Sequence, residues 1–90
     1  MAYDFRWNDW NVHHIADHNI IADEAEYVVN HAAPPYPEHR ADEKWLVIGQ
    51  TQAGEYIQVI FVIDLDRTLF VIHARALSDR EKRRYRRRRR

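Results

Sequence analysis

Between Lys44 and Ala74 the chain carries three runs rich in β-branched and aromatic residues, and three residues join each to the next. The runs are Lys44 to Thr51, Glu55 to Asp64 and Thr68 to Ala74; the joints are Gln52-Ala53-Gly54 and Leu65-Asp66-Arg67. A parallel crossover takes about a dozen residues or more, so joints this short leave only an antiparallel meander. The middle run contains Val59-Ile60-Phe61-Val62-Ile63 and is the best candidate for a central strand. Five apolar residues fall far short of the roughly 20 that a membrane span needs, so no membrane association is expected.

The segments around this meander read as strand, helices and loop. Tyr3 to Trp7 alternates aromatic and polar residues, as a half-buried strand does. Asn8 can cap a helix over residues 9–18, with Val12, Ile15 and Ala16 on its apolar face and Asn19 as its left-handed stop. A second helix opens at Asp23-Glu24, packs through Ala25, Val28 and Val29, and must end before Pro34-Pro35. Residues 31–43 hold all three prolines without periodicity and read as a surface loop. Ser78 and Glu81 fit a capping box for a last helix from Asp79 to Tyr85 or beyond. The expected fold is α+β, with order β-α-α-β-β-β-α and a single antiparallel sheet. Ninety residues make one domain, taken as 1–86, followed by a basic tail, 87–90.

Zero net charge conceals a strong dipole. Residues 1–72 hold twelve acids and four bases, and residues 73–90 hold two acids and ten bases, giving −8 and +8. A basic end this distinct suits a polyanion or an acidic partner. There is no cysteine, which excludes disulfides, thiolate metal sites and thiol catalysis. The opening residues show no secretory pattern, so the cytoplasm is the default compartment. No phosphate-binding glycine loop, EF-hand or zinc-finger spacing is present.

Three ordered blocks carry a family likeness. The first is Phe5-x-Trp7-Asn8, Asn11, His14-Ile15, His18-x-Ile20 and Glu24-Ala25. The second is Trp45 to Thr51 with Gly54, Val59 and Phe61; the third is Ile72-His73-Ala74-Arg75 with Glu81 and Tyr85. Over about residues 5–86 the chain resembles the BrnT-type toxins, the ribonuclease halves of type II toxin–antitoxin pairs. That resemblance implies a RelE-like fold and metal-free cleavage of RNA, with mRNA as the expected substrate. It also implies assembly with a ribbon-helix-helix antitoxin that binds DNA, and no cofactor. Two positions depart from the family. Asn11 stands near a usual lysine, and Asp17-His18-Asn19 replaces a usual Lys-His-Gly.

Metal-free RNA cleavage needs a base for the 2′-hydroxyl, cations for the charged phosphorane and an acid for the leaving oxygen. Arg75 ends a strand and precedes a helix, so its guanidinium can stabilise charge; alternatively it forms a structural ion pair with Glu81. His73 shares a strand face with Arg75 by alternation, and is either a general base or acid or a core-edge histidine. His14 and His18 neighbour each other at i, i+4. Alone they are weak evidence for metal, and packing or RNA contact suits them better, with His14 a further catalytic candidate. Tyr85 can stack on a base, act as an acid or anchor the last helix. His18, Lys44, Arg80, Arg83 and Arg84 are the candidate RNA contacts, and Arg40 flanks the same strand as Lys44. Trp7, Trp10 and Trp45 read as core or interface. Three functions compete: a toxin ribonuclease, a catalytically inactive module of the same fold that binds nucleic acid or an antitoxin, and a structural subunit with a basic tail. The two altered positions motivate the second.

Overall fold

The densest apolar run has a strand on either side of it. A computed structural model describes residues 3–88. Strand β4 (Tyr56–Ile63) pairs antiparallel with β3 (Lys44–Gln50) on one side and β5 (Leu69–Ala76) on the other. Strand β1 (Phe5–Arg6) lies outside β5, and β2 (Glu38–Arg40) lies outside β3, so the sheet order is β1-β5-β4-β3-β2. The helices are α1 (Asp9–Ala16), α2 (Ala22–Asn30) and α3 (Asp79–Arg88). Among the described residues, no helix is long and apolar enough to cross a membrane.

The α+β class holds, but the sheet is mixed and has one strand more than the sequence suggests. β1 runs parallel to β5, pairing Phe5 with Leu69 and Arg6 with Phe70. Short joints forbid parallel pairing only between neighbours in sequence; about two thirds of the chain lies between these two strands. The proline segment is not all loop. Directly after Pro37, β2 pairs back on β3 through a turn in which Asp42 and Glu43 take φ values of 62° and 59°. Positive φ at two successive residues is the turn geometry that suits a tight hairpin, and acidic residues at those positions do not advertise it. The element order is therefore β-α-α-β-β-β-β-α. The supposed tail also changes: Arg87 and Arg88 belong to α3, while residues 89–90 lie outside the described residues.

One sheet face holds the core. Ile57, Val59 and Phe61 alternate inward along β4 and pair with Gly49, Val47 and Trp45 of β3. α2 lays Ala25, Val28 and Val29 on this face. Gly49 permits the close approach, since a Cβ there would meet Val28 Cγ1 at 3.4 Å. Burying a side chain of this size contributes about 1.5–3 kcal/mol, so these residues dominate stability. α1 contributes less apolar surface than expected. Ile15 is buried, but Val12 and Ala16 are exposed, and the second buried position is Asn11. Asn11 donates to the Arg6 carbonyl and accepts from the Asn8 amide, tying β1 to the start of α1. Asn19 does take the left-handed conformation, at φ 63°.

The second face is half open. Its rows across the sheet follow the register: Arg6 beside Phe70 beside Val62, then His73 beside Ile60 beside Leu46, then Arg75 beside Gln58 beside Ile48. By alternation Lys44 joins this face, with Arg40 opposite it on β2. α3 covers only one end, where Leu77 and Tyr85 are buried. Phe70, Val62, Ile60 and His73 remain half-buried.

Candidate active site

A local irregularity in β5 creates the site. Phe61 pairs with Val71 but Ile60 pairs with His73, so Ile72 is an extra residue in the strand. Strict alternation from buried Leu69 and Val71 would send His73 and Arg75 into the core. The bulge reverses this: Ala74 becomes the buried residue, and His73 and Arg75 turn to the open face.

On that face His73 meets two histidines from the α1 region. β1 pairs only with Leu69 and Phe70, and α1 packs against β5. The His14 ring lies 6.4 Å from that of His73, and the His18 ring 5.3 Å, both edge to face. Burial is the main cause of a lowered His73 pKa, followed by the charges of His18, Arg75 and His14. The imidazole is therefore held neutral at neutral pH, the form that accepts a proton. Among the described residues, no group of three or more His, Cys, Asp or Glu side chains is arranged to hold a metal ion.

Arg75 forms the ion pair that the sequence offered as its alternative role. Nη1 and Nη2 donate to the two Glu81 carboxylate oxygens at 2.8 and 2.7 Å, and Nη1 also donates to the Ala76 carbonyl. Glu81 in turn accepts from the Ser78 amide, while the Glu81 amide donates to Ser78 Oγ. One carboxylate thus caps α3 and clamps it to the end of β5. Its pKa is drawn down to about 2, chiefly by the Arg75 hydrogen bonds.

Tyr85 is an anchor. It is buried one turn beyond Glu81, with its ring 6.2 Å from Tyr36 and 5.6 Å from Tyr56. It lines a small cavity of about 170 Å³ with Arg40, Gln58, Glu81 and Arg84, which keeps it near Arg75. Arg80, Arg83 and Arg84 are exposed on α3, and Lys44 is half-buried at the start of β3. The cationic candidates therefore fall at two margins of the open face and the imidazoles at a third.

Arg6 and Phe70 escaped the sequence reading, as did the ring contacts of Trp10. Trp10, read as core or interface, is 54% exposed and so is not core. Its indole stacks on His14 at 4.8 Å and on Phe70 at 5.9 Å. The i, i+4 spacing of Trp10 and His14 was the available signal. Arg6 lies with its guanidinium carbon 4.1 Å from the Phe70 ring centre, held by Asp64 at 2.8 Å. Trp7 and Trp45 are half-buried against the core, and the Trp7 indole donates to Glu26 at 2.7 Å. No family model, no curated protein and no solved structure matches the chain.

Proposed function

We propose that this chain is a RelE-like toxin of the BrnT type, a metal-independent endoribonuclease acting on RNA in the cytoplasm and neutralised by a ribbon-helix-helix antitoxin. The observation that carries the catalytic half is the bulge that turns a neutral His73, with Arg75 beside it, onto an open face. His73 takes the proton of a ribose 2′-hydroxyl. The freed oxygen attacks the adjacent phosphorus, the 2′-O–P bond forms, and the P–O5′ bond breaks. The departing oxygen is protonated by a second imidazole, His14 or His18. The products are a cyclic 2′,3′-phosphate and a 5′-hydroxyl. Arg75 stabilises the charge that gathers on phosphorus, and Lys44, Arg80, Arg83 and Arg84 hold the flanking phosphates. The antitoxin half rests on the family resemblance alone.

The two departures from the family differ in place: Asn11 is wholly buried and Asp17 is exposed. The two-point pairing of Arg75 with Glu81 favours the second reading, a module that binds RNA without cutting it. Cleavage of total cellular RNA in excess EDTA separates the two. Catalysis predicts that His73→Ala and Arg75→Ala each cost about 100-fold or more with retained circular dichroism. Binding without cleavage by the wild type would establish the module.

A further inference from the structure

We propose that the exposed face of the Trp10 indole is a stacking platform for a nucleobase of single-stranded RNA, placed beside the imidazole cluster; this rests on the RNA-directed reading above. A tryptophan with more than half its surface in water is normally loose, but this one is held. It lies within 8° of parallel with His14 and 18° of parallel with Phe70, so a helix and a strand together fix its plane. Further flat groups adjoin these two rings. Arg6 lies over Phe70, fixed in turn by Asp64. His14 leads on to His73 at 6.4 Å. One oligonucleotide segment can therefore lay a base on Trp10 and its sugar–phosphate against His73.

The chemistry of the strip favours a base over an aliphatic partner. Its members are indole, phenyl, imidazole and guanidinium planes, the groups on which bases stack, and every base offers a π face. The charges set the direction of the strand. Asp9 and Asp17 on the α1 side repel phosphate, whereas Arg75, Lys44 and the α3 arginines attract it from the sheet side. The base enters toward α1 while its backbone stays over the sheet.

The test is binding of a fluorescein-labelled, fully 2′-O-methylated hexanucleotide, which has no free 2′-hydroxyl to react. Anisotropy titrations compare the wild type with Trp10→Ala and Trp10→Phe, each checked for fold by circular dichroism. A second oligonucleotide of the same length lacks its bases. Stacking predicts that Trp10→Ala weakens binding about tenfold or more, that Trp10→Phe keeps most of the affinity, and that the abasic oligonucleotide loses affinity to the wild type but loses no more to Trp10→Ala. Equal binding by the wild type and Trp10→Ala overturns the platform, as does equal binding of the two oligonucleotides. RNA cleavage with unchanged kcat and KM in Trp10→Ala overturns the platform and leaves the nuclease standing. A wild type that binds neither oligonucleotide overturns the platform and RNA binding together.

Discussion

His73 reaches the open face because Ile72 is an extra residue, and its protonation follows from where it lands. Burial and the facing His18, Arg75 and His14 charges all oppose a second positive charge, so its pKa lies below the ordinary 6.5. If His73 is the base, kcat/KM rises with pH through a midpoint below 6.5, read from a pH–rate profile; a midpoint at or above that value overturns the assignment. The same shift has a stability sign. The unfolded chain takes up the proton first, so stability is full above pH 6.5 and declines as the pH falls toward the lower folded value. Glu81 acts further into acid. Its folded pKa of about 2 lies below the ordinary 4.5, so the Arg75 clamp stabilises fully above 4.5 and is lost as pH falls through 2. Urea midpoints between pH 5 and 2 should fall less steeply in Glu81→Gln, which begins less stable. Asn11 gives a test without titration. Asn11→Ala takes the side-chain donor from the Arg6 carbonyl and removes a cap acceptor, and about 1–3 kcal/mol should be lost in urea denaturation.

At the scale of elements, what the sequence made plain is what local chemistry decides alone. Short joints and β-branched density specify β3, β4 and β5, and a reciprocal Ser78–Glu81 cap specifies the start of α3. The features that escaped depend on distant partners. β1 is parallel because β5 offers an edge far along the chain, and two residues of pairing leave no periodic trace. β2 hides behind prolines and a turn made by Asp42 and Glu43. The bulge at Ile72 leaves no trace in the sequence pattern, yet it puts Val71 and Ala74 on one face and decides the site. The shared face of His73 and Arg75 was legible from spacing; which face that was could not be. α3 shows the same division. Its capped start was readable, but whether Tyr85 anchors or reacts needed the Tyr36 and Tyr56 rings beside it. Two variants separate those roles. Tyr85→Ala should cost about 3 kcal/mol and some helical circular dichroism, as loss of a buried aromatic does. Tyr85→Phe should keep the fold, and unchanged cleavage by it would exclude the hydroxyl as the acid.

Over the whole molecule, charge is sorted by position in the chain, with −8 before residue 73 and +8 from it onward. Folding puts the two blocks to different uses. The acids of α2, Asp23, Glu24 and Glu26, lie on the helix that covers the core face, while α3 carries its arginines to the margin of the open face. If the open face binds RNA, the strand is drawn toward α3 and kept from α2. Binding of an uncleavable oligonucleotide should weaken steeply with salt, since each phosphate neutralised releases counterions. For a single strand the slope of log K against log salt is about −0.7 per contact, so Arg83→Ala and Arg84→Ala should each make it shallower by about that amount. Neutralising Asp23, Glu24 and Glu26 should leave the slope for the oligonucleotide unchanged and raise affinity for long duplex DNA at low salt. An unchanged slope in the α3 variants would place the phosphates on Arg6, Arg40, Lys44 or Arg75, the cations that the sheet brings to the open face.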